Sequence, residues 1–214
     1  NSRLGLMSDK EIHELNYRVA KYLKKNFTDT LFIGAERFEG SSKETLLRIK
    51  KLAKSGIDIF SVILGEKYYN DDQVYSHFKY LNDHSKLPLL LHLQMMMNGH
   101  GTKPPVVDYS IRLTNKICSL SNFVAIKEDA KNYNFTVKLI KKIKNKVKII
   151  RAGGGMSAWS KFSNLGCQSW LVGIELLDPR LAFDFIKKLE KNDKKFLKIL
   201  DEKIEKPFFE KAAI

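Results

Sequence analysis

Lys127 lies within Phe123-Val124-Ala125-Ile126-Lys127-Glu128-Asp129, an apolar run of strand length in which a charge is out of place. Either its stem carries the ammonium to the strand's end, or the ammonium loses water. Desolvation disfavours the cation, lowers the pKa and leaves an amine able to attack a carbonyl carbon, as Schiff-base enzymes require. The competing reading is a structural ion pair with a neighbour such as Glu128. His92 ends another apolar run, Pro88-Leu89-Leu90-Leu91-His92. An imidazole there can carry protons near neutral pH, or it can be a hydrogen-bonded core residue. His100, among Asn98, Gly99 and Gly101, is a weaker candidate in a loop. Gly153, Gly154 and Gly155 precede Ser157, which reads as a helix N-cap. Backbone amides exposed there can hold a carboxylate or phosphate, although a tight strand-to-helix turn needs glycine with no ligand at all.

Stepping outward, the elements that position these residues alternate regularly. Apolar runs of strand length cover 31–35, 57–64, 88–93, 123–126, 147–150 and 170–174, and helical periodicity covers 9–25, 43–54, 71–84, 106–119, 133–144, 157–164, 179–190 and 193–205. Ser8-Asp9-Lys10-Glu11 and Ser41-Ser42-Lys43-Glu44 have the capping-box pattern, and Asp178-Pro179 reads as an N-cap before a first-turn proline. Strands that are continuous apolar runs are buried on both faces, which is the pattern of parallel strands joined by crossover helices. An α/β class follows. Polar or glycine residues close nearly every strand: Glu36-Arg37, Gly65-Glu66, His92, Lys127-Glu128, Arg151 and Glu175. A barrel gathers such ends at one mouth, whereas an open sheet concentrates them at one switch point, so a barrel is expected.

Composition narrows the function. The 214 residues are 43% hydrophobic, enough for one sizeable core, and nothing between them resembles a linker, so a single domain over 1–214 is expected. No stretch approaches the roughly 18 apolar residues of a membrane span. Cys118 and Cys167 are isolated, without metal-ligand or disulfide spacing, which fits a reducing cytoplasm. The net charge of +14 raises the question of nucleic acid, but only seven of the 38 basic residues are arginine. The lysines cluster on helix faces, at Lys50, Lys51, Lys54, Lys141, Lys142, Lys144, Lys187, Lys188 and Lys191. Solvated helix faces are expected, with no nucleic-acid partner. Met95-Met96-Met97 reads as adaptable apolar packing.

The stretch Asn122-Phe-Val-Ala-Ile-Lys-Glu-Asp-Ala-Lys131 resembles the lysine-bearing sixth strand of the dihydrodipicolinate synthase and N-acetylneuraminate lyase family. Ser55-Gly-Ile-Asp58, Val74-Tyr-Ser-His-Phe78, Pro88-Leu-Leu-Leu91 and Gly153-Gly-Gly-Met-Ser157 with Leu165-Gly166 are similar to that family's segments in the same order, so the resemblance covers essentially the whole chain. It implies a TIM (βα)8 barrel of which strands three to eight are present, with a C-terminal helical extension, and the first two βα units outside this sequence. It implies Lys127 as the imine-forming residue for pyruvate or another 2-oxo acid, with no metal and no organic cofactor, and a homo-oligomer at full length. The family's proton-carrying tyrosine at the end of strand five is replaced here by His92, while Tyr68-Tyr69-Asn70 repeats a family pattern that would bring Tyr69 into the proton relay. The resemblance places the family's carboxylate-binding Thr-Thr-Gly-type turn in the absent units, and the glycine turn is a further anion contact expected from its own backbone amides. The alternatives are a barrel lyase binding a phosphorylated substrate at that turn, or a catalytically incompetent piece of a barrel. Six strands without the first two would leave the strands near Leu31 and Leu171 as open edges prone to self-association.

Overall fold

Side-chain caps set where the first helices begin. Ser8 Oγ accepts from the Glu11 N–H while the Ser8 N–H donates to the Glu11 carboxylate, and this reciprocal box starts α1 (Asp9–Asn26). Ser41 and Glu44 repeat it at α2 (Ser42–Ala53). Asn70, Ser110 and Asn132 accept from the amide three residues on, starting α3 (Asp71–His84), α4 (Ile111–Ile117) and α5 (Tyr133–Ile143). The structure is a computed structural model that describes residues 6–35, 40–64, 70–93, 97–98, 102–105, 109–130, 132–152, 155–171, 178–191 and 193–212.

Between the helices run β1 (Ile33–Ala35), β2 (Ile59–Val62), β3 (Leu89–Leu93), β4 (Met97–Asn98), β5 (Thr102–Pro105), β6 (Phe123–Glu128), β7 (Lys148–Ala152) and β8 (Ser169–Leu171). Six of them form one sheet in the order β1-β2-β3-β6-β7-β8, with β1, β2 and β3 paired in parallel and β7 parallel to β8. All five residues of β3 are buried, as expected for a strand covered on both faces. β4 and β5 form a separate antiparallel pair, which the sequence did not predict. Its second strand contains Pro104 and Pro105, and proline cannot donate to a ladder. The helix expected over 106–119 is accordingly shorter, beginning after the Ser110 cap.

The chain divides into two compact units, Asn1–Ile126 and Lys127–Ile214, with the division falling inside β6. In the first, Phe60, Phe78, Leu81, Leu89, Leu91, Leu93 and Ile117 are almost completely buried. Phe78 meets Phe123 edge-on, with centroids 5.7 Å apart. Asn122 ties the start of β6 to that of β3: its N–H donates to Asn82 Oδ1, its side-chain amide donates to the Ser85 and Leu87 carbonyls, and its own carbonyl accepts from the Leu89 N–H.

The second unit adds α6 (Gly155–Ser163), α7 (Arg180–Glu190), α8 (Lys194–Ile199), a π-helical turn (Leu200–Glu205) and α9 (Lys206–Ala212). Trp159, Trp170 and Phe185 pack as three mutually touching rings, 4.9–5.8 Å between centroids. Two expected helix starts are displaced. α6 begins at Gly155, so Ser157 lies in its first turn rather than at its cap. α7 begins at Arg180 after Pro179, and Asp178 instead accepts from the Arg180 N–H and guanidinium. The helix expected over 193–205 is interrupted by the π turn, which turns both Leu200 and Glu205, five residues apart, inward. The lysines named above on helix faces are all exposed. No helix among the described residues is long and apolar enough to cross a membrane.

Candidate active site

Lys127 is the fifth residue of β6, between the fully buried Ile126 and Glu128. Its own side chain is half-buried, and loss of water holds its pKa below the ordinary lysine value, opposed by the Asp129 carboxylate. The alternative expected from sequence is an ion pair with Glu128. Successive residues of a strand point to opposite faces, and the Glu128 carboxylate pairs instead with Arg151 of β7, Oε2 to Nη1 at 3.0 Å. Among the described residues no ion pair forms on Lys127.

Arg151 is 7% exposed. Its Nη1 donates to the Glu128 carbonyl at 3.1 Å and to the Ala152 carbonyl, and its guanidinium lies 5.6 Å from the centre of the Phe162 ring. Glu128 Oε1 accepts from the Ala130 N–H at 2.8 Å. Burial pushes the Glu128 carboxyl above the usual range, with the Arg151 charge as the main opposing influence. The ion pair brings Glu128 Oε2 and Arg151 close without an aligned hydrogen bond, and Arg151 Nε, also buried, has no hydrogen-bond partner among the described residues.

A second carboxylate closes the start of α6. Glu205, 1% exposed, accepts from the N–H groups of Met156 and Ser157 and from the Ser157 hydroxyl, the Ser157 N–H at 3.0 Å. These amides are among the four that a helix start leaves unpaired, and the helix dipole favours an anion there. Gly155 stands at φ +77°, and a Cβ on it would collide with the Glu205 carboxylate, so the close approach requires glycine twice over. Burial raises the Glu205 pKa, opposed by the hydrogen bonds from Ser157 and Met156.

Of the residues singled out from sequence, Lys127 and Gly155 lie in the second unit and His92 in the first, as the fourth residue of β3 and buried at 8% exposure. Tyr69, Gly153, Gly154 and His100 lie outside the described residues. Sequence reasoning assigned no role to Arg151 or Glu205. Arg151 carried a usable signal, since it ends the apolar run Ile149-Ile150 as Lys127 ends its own. Glu205 carried none, its contacts being 48 and 49 residues away in the chain. Among the described residues no cluster of His, Cys, Asp and Glu is placed to hold a metal ion.

No protein-family model matches the chain. Over 132 residues it is 25% identical to the 4-hydroxy-tetrahydrodipicolinate synthase of Oceanobacillus iheyensis, a match covering 60% of this chain and 42% of that protein. A second such synthase, from Clostridium novyi, is 28% identical over 102 residues, covering 46% of this chain and 32% of that one. This chain resembles the dihydrodipicolinate synthases. Among solved structures, the dihydrodipicolinate synthase of Acinetobacter baumannii complexed with pyruvate aligns with a TM-score of 0.75 and 19% identity over 95% of this chain and 66% of that one. The N-acetylneuraminate lyase of Mycoplasma synoviae aligns at 0.72 and 17% identity, over 92% and 62%. That likeness shows the fold, a partial TIM barrel of α/β class, with six of its strands among the described residues. The matched segments span about four-tenths and a third of the two curated synthases.

Proposed function

We propose that the protein is a class I aldolase or lyase of the dihydrodipicolinate synthase type, in which Lys127 forms a Schiff base with pyruvate or another 2-oxo acid. The observation that carries this reading is the setting of Lys127: a half-buried amine at the end of an apolar strand, its pKa lowered by desolvation, with the adjacent Glu128 carboxylate committed to Arg151. The neutral amine attacks the ketone carbon, proton transfers turn the carbinolamine oxygen into water, and its departure leaves a protonated imine. That cation withdraws electrons from the neighbouring carbon, which loses a proton to give an enamine able to bond to an aldehyde. His92 or Tyr69 carries these protons. The imine is itself the electron sink, so the chemistry calls for neither metal nor organic cofactor.

A substrate carboxylate at the glycine turn would use the amides of Gly153, Gly154 and Gly155, because those of Met156 and Ser157 are held by Glu205. Glu205 weighs in the same way against any anion, phosphate or carboxylate, seated on the Met156 and Ser157 amides themselves. A small-molecule substrate and a homo-oligomer at full length belong to this proposal. Incubation with pyruvate and borohydride tests it. One pyruvyl mass is expected on the peptide containing Lys127, with none in Lys127→Ala; equal labelling of that variant contradicts the assignment.

A further inference from the structure

We propose that Arg151 is a positioning residue for Lys127, one that fixes the end of β6 by gripping both the backbone carbonyl and the carboxylate of Glu128. The inference rests on the reading of Lys127 as the nucleophile and adds a part to it.

The geometry concentrates on one residue. From the neighbouring strand, a single nitrogen of Arg151 reaches the Glu128 carbonyl at 3.1 Å and the Glu128 carboxylate at 3.0 Å, and also donates to the Ala152 carbonyl. The other oxygen of that carboxylate takes the Ala130 N–H at 2.8 Å, just past the end of the strand. Glu128 is therefore tied to β7 directly and Ala130 through the Glu128 carboxylate, and Lys127 is the residue immediately before the grip. A lysine side chain has four rotatable bonds, so the direction of its amine depends first on the direction of its Cα–Cβ bond, and holding the next residue of the strand at both its carbonyl and its carboxylate restrains that direction from the C-terminal side.

Stability alone is a poor account of the pair. A buried ion pair is often matched or bettered by well-packed apolar residues of similar volume. This one, moreover, leaves Arg151 Nε without a hydrogen bond among the described residues. What an apolar pair cannot reproduce is donation to two strand-end carbonyls at once. Lysine at this position would keep the charge while lacking the planar fork that aims those donors.

The test uses Arg151→Lys and Arg151→Met beside the unaltered protein, with three readouts: the thermal midpoint, pyruvate trapping by borohydride at saturating and limiting pyruvate, and hydrogen exchange at the Ala130 amide. Arg151→Lys is expected to stay folded with a midpoint near the original, to trap pyruvate about tenfold more slowly or worse at saturation, and to need a similar pyruvate concentration for half-maximal trapping. Its Ala130 amide should exchange faster. Arg151→Met should show both losses, and if it fails to fold, Arg151→Lys decides. Trapping by Arg151→Lys at the original rate would overturn the positioning role, as would an Ala130 amide as protected as before. Absence of trapping in the unaltered protein is a different result, which would overturn the Lys127 reading itself while the exchange data still report on the Arg151 grip.

Discussion

Lys127 and Glu205 both bring a charge out of water in the same compact unit, and their surroundings treat it in opposite ways. Glu205 meets two backbone amides and a hydroxyl at the start of α6, a full set of donors for a carboxylate. Lys127 has no ion-pair partner among the described residues, and its nearest acid in sequence is bound to Arg151. Burial shifts both groups toward their neutral forms, raising the pKa of Glu205 and lowering that of Lys127. For Glu205 the hydrogen bonds resist that shift and anchor the C-terminal segment. For Lys127 only the exposed side and Asp129 resist it, which on the proposed reading leaves an amine able to react. One region joins two parts of the fold; the other, on the proposed reading, serves chemistry.

The largest effect that sharpens this contrast is on stability. Glu205→Ala leaves the Met156 and Ser157 amides without their acceptor, while the Ser157 hydroxyl keeps Asp201 Oδ1 at 3.2 Å, and buried donors left unpaired each cost about 1–3 kcal/mol. A loss of about 3 kcal/mol or more is expected in denaturant unfolding, with release of α9 to proteases. A loss under about 1 kcal/mol would mean that the carboxylate is incidental.

A smaller effect concerns pH. Because the folded pKa of Glu205 is raised, its favourable contribution is fully present below the ordinary glutamate value of about 4.3 and declines as pH rises through the raised value. Glu205→Gln does not titrate, so its stability deficit relative to the unaltered protein should be greatest in acid and shrink toward neutrality. Glu128 shifts the same way and remains in both proteins, so the comparison isolates Glu205. Thermal midpoints across that range check it, and a deficit that grows with pH contradicts the assigned sign.

What the sequence disclosed follows the range of the interactions. The Ser8 and Ser41 capping boxes, and the apolar run that becomes β6, are local patterns, and they were read within a residue or two of where they stand. The special setting of Lys127 was legible for the same reason: the apolar residues before it in sequence mark it as part of a buried strand. The partner of Glu128 was not, because it comes from the next strand of the sheet, and adjacency in sequence pointed to Lys127 instead. The start of α6 was misplaced because its cap arrives from the π turn some 48 residues later. The β4–β5 pair was missed because proline argues against a strand wherever its missing N–H would matter, and on a two-stranded edge it matters little. The α/β class came from the alternation of elements and the barrel from the polar strand ends together with the family resemblance, and the similar solved structures share that fold.

The central claim is that Lys127 is an amine made reactive by its loss of water, and the pH dependence of its capture by pyruvate tests this most directly. The initial rate of borohydride-trapped adduct, mapped to the Lys127 peptide, should rise with pH around a midpoint clearly below the ordinary lysine value of about 10.4. A midpoint at or above that value, or adduct spread evenly over the exposed lysines, would contradict the account.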